Sequence, residues 1–261
     1  MSVYANPNIV TSNLLLNLDA FNPRSYPGSG SIWTDVSNTG QQFTLQNSSY
    51  YSYTSLPGSI NFTRTTPPTT ILGGYAQATM SGNLAVSTYL YNNHTTEVWA
   101  KINDINFTNY NATETASSLI LYVGYHSMFY YTNTYLTYGI WSGISSTVGI
   151  PGLSVGTSGT NIVQGTWFQV VVTVNYSGGN VTLTQYLNGA YGAATTTTAP
   201  SNVGIGTTNT LRISAGNNAS PTGSYNWYAN QNISCVRMYN SVLTANQIAQ
   251  NFNALRSRFG I

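Results

Sequence analysis

Few groups in this chain of 261 residues can do chemistry: five carboxylates, two histidines and one cysteine. Hydrolysis of a glycosidic bond needs two carboxyl groups facing each other, about 5 Å apart in retaining enzymes, one as acid and one as nucleophile. Glu97, Asp104 and Glu114 are the nearest in sequence, and no two of them share a strand at alternate spacing. His94 and His126 have no serine or cysteine elbow around them, so each is expected on a loop or a sheet surface. Cys235 stands alone in the apolar stretch ISCVRMY, which predicts a buried thiol and no intramolecular disulfide. Calcium wants six to eight oxygens, usually with several carboxylates among them. Asp19 and Asp35 would have to converge to supply those, and each is expected instead to accept backbone hydrogen bonds in its own turn. No catalytic residue, no metal site and no cofactor is predicted.

Binding is a different matter. Sugars are held by exposed aromatic platforms with amides and hydroxyls close by. The candidates for stacking are Trp141, within Gly139-Ile140-Trp141-Ser142-Gly143, and the group Tyr225, Trp227 and Tyr228 before the last strand.

Charge narrows the partners. Only 5% of the residues are charged, against about 25% in ordinary soluble domains, and Lys101 is the only lysine. Asn, Thr, Ser, Gln and the 21 tyrosines must therefore cover the surface. Aromatic content of 13% argues against disorder, and the absence of a basic patch argues against nucleic acid. Near-zero net charge is a liability for a free protein and favours life in an assembly, a homo-oligomer included. Residues 1–21 have no basic leader and no apolar run long enough to span a membrane, so folding in a cytoplasm is expected. Sequons such as Asn61-Phe62-Thr63 and Asn111-Ala112-Thr113 are read as unglycosylated products of composition.

The elements that must position these residues are strands. Leu14, Leu16 and Leu18 are expected to point one way. Glu97–Ile102, Leu119–Tyr125, Leu211–Ile213 and Ile233–Tyr239 read as further strands. Phe168, Val170, Val172 and Val174 form one face of a strand that turns at Ser177-Gly178-Gly179-Asn180 into Val181, Leu183 and Leu187, with Asn188-Gly189 as the next tight turn. Ala193–Gly206 reads as the longest low-complexity loop. Near the end, Thr244 and Gln247 form a capping box, Leu243 can staple onto Ile248, and Ile248, Phe252 and Leu255 share a helix face. No repeat, linker or charge block divides the chain, so residues 1–261 are expected to form one domain.

Four segments together carry a family resemblance. They are Leu18-Asp19-Ala20 with Ser25–Gly30 and Trp33–Asn38; Glu97-Val98-Trp99; Trp167 through Asn188-Gly189; and Val236–Asn240 with Leu243-Thr244, Gln247-Ile248 and Arg258–Ile261. In these the chain resembles the concanavalin A-like lectin/glucanase superfamily in its laminin-G-like branch, and especially the stand-alone domains of tailed bacteriophages and large DNA viruses. The resemblance implies an all-β, two-sheet antiparallel jelly-roll sandwich, with Trp33 and Trp99 as core aromatics. The Glu-x-Asp-x-Glu pattern of the superfamily's glucanases is absent here. Composition and resemblance together lead to the expectation of a non-catalytic virion structural protein, a capsid decoration protein docked on other virion proteins. The alternative is a host-attachment adhesin on a tail or fibre that binds cell-surface glycan.

Overall fold

Alternation and turn chemistry build the strands. The computed structural model describes residues 7–65, 73–85, 89, 92–104, 117–123, 126–131, 136–140, 153–157, 163–198, 209–215 and 228–261. In chain order the first strands are β1 (Leu14–Asp19), β2 (Ile32–Thr34), β3 (Gln42–Gln46), β4 (Tyr51–Thr54), β5 (Ser59–Phe62) and β6 (Tyr75–Thr79). Then come β7 (His94–Ile102), β8 (Ser117–Val123), β9 (His126–Tyr131), β10 (Leu136–Ile140) and β11 (Leu153–Thr157). The last are β12 (Trp167–Ser177), β13 (Asn180–Leu187), β14 (Ala190–Thr198), β15 (Thr210–Ile213) and β16 (Gln231–Tyr239), followed by helix α1 (Ala245–Phe259).

Among the described residues these strands form two antiparallel sheets of eight. The first runs β14-β13-β12-β7-β16-β5-β4, with β1 pairing the far half of β16. The second runs β11-β10-β9-β8-β15-β6-β3-β2. Between them lies the main core: Leu16, Leu18, Trp33, Phe43, Phe62, Val98, Val170, Val172, Leu211, Ile213 and Met238 are all fully buried. The fold is the jelly-roll sandwich expected from the sequence.

Two hairpins are closed by local chemistry alone. Ser177 pairs with Asn180 around Gly178 and Gly179, whose φ values are +57° and +78°. Leu187 pairs with Ala190 around Asn188 and Gly189, at +50° and +76°. Two central residues with positive φ match the right-handed strand twist, which is why Gly-Gly and Asn-Gly occupy these turns.

Much of the outer face of the first sheet is covered and not open to solvent. Helix α1 lies across it, so β7, β12 and β16 are buried on both sides. Thr244 Oγ1 accepts from the Gln247 amide at 3.3 Å and Gln247 Oε1 accepts from the Thr244 amide at 2.9 Å, completing the capping box. Leu243 and Ile248 share one apolar cluster with Val10, Val171 and Tyr239. Phe252 and Phe259 stack on the Trp99 ring, with centroids 5.8 and 4.3 Å away. Thr244→Ala should therefore cost about 1 kcal/mol. Phe252→Ala should cost about 2 kcal/mol, below a full aromatic deletion because the ring is half-buried. Urea denaturation of the two variants checks both, and an unchanged Phe252→Ala midpoint would mean that the helix is not docked.

Two local expectations fail, each for a physical reason. Leu14 joins the helix-side cluster while Leu16 and Leu18 face the main core, because a register shift between Leu14 and Leu16 turns the strand over. Ala193–Thr198 is strand, not loop: the β-branched threonines extend β14 against β13, with Thr195 opposite Leu183 and Thr196 opposite Thr182. The rest of that segment lies outside the described residues. No described helix is long and apolar enough to cross a membrane.

Candidate functional site

The residues with chemical potential are tied into the architecture. Glu97 is fully buried in β7, beneath α1. Its Oε1 accepts from Arg237 Nη1 at 2.9 Å, Gln169 Nε2 at 2.9 Å and Trp99 Nε1 at 3.0 Å, and its Oε2 accepts from Asn251 Nδ2 at 2.8 Å. Burial pulls the Arg237 guanidinium down, but Glu97 beside it holds its pKa above the ordinary arginine value. Asn251, in mid-helix, also donates to Tyr239 Oη at 3.0 Å and accepts from the Val10 amide at 2.8 Å. Every oxygen of Glu97 is thus occupied and no substrate atom can approach it. The carboxylate joins helix, sheet and N-terminal segment.

Asp19 pairs with Arg258 at 3.0 Å. Asp35 accepts from the amides of Asn17, Ser37 and Gly40 and from the hydroxyls of Ser37 and Thr39. Both carboxylates serve their own turns and neighbours. No group of three or more His, Cys, Asp and Glu side chains among the described residues could hold a metal ion. Burial, then the Asp19 charge, pushes the Cys235 thiol up to about 11, despite an Arg258 Nη2 donor 2.7 Å from its sulfur. At neutral pH it is an inert thiol. Glu114 lies outside the described residues.

His94 differs from the expectation of an exposed residue. It opens β7 fully buried, with Nδ1 2.8 Å from the Asn92 carbonyl and its ring 4.4 Å from that of Tyr89. Burial, only partly opposed by the Asn92 contact, lowers its pKa to about 4. Sequence reasoning missed this because the strand begins three residues before Glu97, so His94 falls on the core-facing side with Val98 and Ala100, where the Tyr89 ring packs on it.

The stacking candidates are divided. Trp141, Tyr225 and Trp227 lie outside the described residues. Tyr228 is only 5% exposed, which corrects its reading as an open platform. Its ring lies directly over Gly73, where a Cβ would come within 2.6 Å, so the absent side chain lets the tyrosine sink. What it supports is Tyr75, a half-buried tyrosine of β6 with its centroid 5.9 Å away. The Arg212 guanidinium of β15 sits over the other ring of this pair, 5.6 Å from the centre of Tyr75.

These groups belong to a single outer face, that of the second sheet. Phe43, Leu45, Ala76, Ala78, Leu211 and Ile213 point to the core, leaving Gln42, Thr44, Gln46, Tyr75, Gln77, Thr79, Thr210 and Arg212 on the other side. Thr44, Gln77 and Arg212 form one cross-strand row, Gln46 lies opposite Tyr75, and Thr79 lies opposite Thr210. Gln42, Thr44 and Thr79 are exposed, so the face meets solvent. An aromatic ring, amides, hydroxyls and a guanidinium can together stack on a sugar and hydrogen-bond its hydroxyls. The signal for it stands in the sequence as QFTLQ, YAQAT and TLRI, each apolar at alternate positions with amide, hydroxyl or guanidinium groups between them.

Comparison with known proteins agrees with the fold. Residues 70–249 match the family model described as the concanavalin A-like lectin/glucanases superfamily. The binding domain of botulinum neurotoxin serotype D/C superposes with a TM-score of 0.66 at 15% identity, over 93% of this chain and 52% of that one. The serotype C1 binding domain gives 0.65 at 18% identity, over 93% and 52%. A botulinum neurotoxin type C structure, described as needing two ganglioside molecules for the toxin to enter cells, gives 0.66 at 17% identity, over 93% and 51%. The chain spans about half the length of these solved structures. No curated protein sequence matches it.

Proposed function

The chain belongs to the concanavalin A-like lectin/glucanases superfamily, and on that premise we propose that it is a non-catalytic, glycan-binding attachment protein. The observation that carries this reading is the outer face of the second sheet, where Tyr75, braced by Tyr228 and Arg212, stands among Gln46, Gln77 and Thr44. Glu97, Asp19 and Asp35, three of its five carboxylates, are engaged by neighbours, which argues against a hydrolytic pair among them. Neighbours of the same fold include a structure whose description names gangliosides, which makes cell-surface glycan the natural first class of ligand. Trp141, Tyr225 and Trp227 remain proposed stacking residues at this or an adjoining surface. A glycan array followed by calorimetry tests the reading. Saturable binding should weaken about tenfold in Tyr75→Ala, the equivalent of about 1.4 kcal/mol for one lost aromatic contact. Binding to no glycan, or binding indifferent to Tyr75→Ala and Arg212→Ala, would count against it.

A second reading has its own support in the charge count. A surface with 5% charged residues suits permanent docking by neutral hydrogen bonds and apolar area. On this reading the whole chain is one domain that decorates a virus capsid, touching other virion proteins or copies of itself. Quantitative mass spectrometry of purified particles separates the two: hundreds of copies indicate a shell, a handful indicate a tail or fibre.

A further inference from the structure

The end of the first sheet beyond α1 carries an arrangement that the fold does not require. Five residues on five neighbouring strands lie in one cross-strand row on its outer face. Trp167 of β12 pairs with Lys101 of β7, Lys101 with Asn232 of β16, Asn232 with Asn61 of β5, and Asn61 with Ser52 of β4. Just past the end of β7, Asn103 closes the row from above. Its Nδ2 donates to Asn61 Oδ1 and Asn232 Oδ1, both at 2.9 Å, while Asn232 Nδ2 donates to Ser59 Oγ at 3.1 Å and Gln164 Nε2 to the Asn103 carbonyl at 2.7 Å.

Three amides are therefore locked in one orientation, and the lock has a direction. Both amide protons of Asn103 are used inward, so its Oδ1 is turned to accept from outside. Asn61 accepts inward through Oδ1, so its NH₂ is turned to donate outward. Asn61, Asn103, Lys101 and Trp167 are all half-buried, and Ser52 and Gln164 are exposed. The only lysine in the chain holds its ammonium 5.6 Å from the centre of the Trp167 ring, which also lies 4.8 Å from the Phe259 ring. Neither ion pair among the described residues includes Lys101: Asp19, Glu97 and Asp35 are engaged elsewhere, and Asp104, the carboxylate nearest to it in sequence, forms no ion pair with it.

We propose that this row is a saccharide site separate from the face of the second sheet, and that it selects a carboxylate-bearing sugar. The sugar carboxylate meets the Lys101 ammonium, and adjacent ring hydroxyls meet the outward donor of Asn61 and the outward acceptor of Asn103. Trp167 forms the apolar wall beside them. A fixed donor–acceptor pair next to a positive charge matches a uronic acid better than a neutral hexose, which leaves the ammonium without a counter-charge.

The test uses the whole chain labelled with ¹⁵N at tryptophan, the Trp167 indole signal being assigned as the one lost in Trp167→Phe. It is titrated with a glucuronosyl-glucose disaccharide and with cellobiose, its neutral counterpart. The Trp167 signal should shift saturably, with the acidic disaccharide binding about fivefold more tightly, as befits one exposed charge pair. Lys101→Met should abolish the preference, Lys101→Arg should keep it, and Asn103→Ala should weaken both sugars. Tyr75→Ala and Arg212→Ala should leave all of this unchanged, which separates this site from the one on the second sheet. No saturable shift, equal affinity for both sugars, or a preference that survives in Lys101→Met would overturn the proposal.

Discussion

Glu97→Ala should destabilise the protein by about 4 kcal/mol, because it strands a buried guanidinium. Arg237 is 1% exposed and Glu97 is fully buried, so water cannot take over the lost interaction. Three further donors on the same carboxylate, from Trp99, Gln169 and Asn251, lose their acceptor together. The expected fall in melting temperature is on the order of 10 °C. The companion experiment is the double replacement Glu97→Met with Arg237→Met. It removes both charges and should recover much of the loss, since a buried pair and an apolar substitute of similar volume are often close in free energy. If Glu97→Ala melts within about 2 °C of wild type, close to what 1 kcal/mol would give, the cluster is not the joint between helix and sheet described here. Asn251→Leu supplies a second reading of the same joint, since it cuts the helix from Glu97 and from Val10 while leaving the ion pair intact.

Acid should unfold the protein through His94. Its folded pKa is lowered from 6.5 to about 4 by burial, so the unfolded chain binds a proton more readily than the folded one. Stability is therefore complete above about pH 6.5 and is lost as pH falls toward the folded value. Over that window of about 2.5 units the loss is about 3 kcal/mol, of which about 2 kcal/mol is gone by pH 5. Carboxylates paired in the folded state add their own acid sensitivity, so the difference from a variant is the informative quantity. In His94→Gln, denaturation free energies at pH 7 and pH 5 should differ by about 2 kcal/mol less than in wild type, whatever the variant's starting stability. Equal slopes for the two proteins would mean that His94 is protonated in the fold or exposed in solution.

What could be read from the sequence was whatever depends on residues within a few positions of one another. The Thr244–Gln247 box, the Gly178-Gly179 and Asn188-Gly189 turns and the alternation in β12 and β13 are satisfied by local geometry, and all appear as expected. The buried thiol of Cys235 and the turn-bound Asp35 follow from the same kind of local argument. The resemblance supplied the two-sheet architecture, which alternation by itself would have left open between sandwich and barrel.

The roles of the polar residues could not be read that way, because their partners are distant. Glu97 meets Gln169, Arg237 and Asn251 across separations of 72, 140 and 154 residues. A lone glutamate at an outward strand position looks the same in sequence whether water or a helix covers it. Only the docking of α1 across the first sheet turned Glu97 and Asn251 into buried groups, His94 being buried on the opposite, core-facing side of β7 against Tyr89. Only strand order brought Trp167, Lys101, Asn232 and Asn61 into one row. The sequence by itself determined which faces are apolar and where the chain turns, since those depend on local backbone sterics and on side-chain hydropathy. Tertiary structure decided which polar face would be covered and which would meet a partner, because that depends on which distant segment arrives to desolvate it.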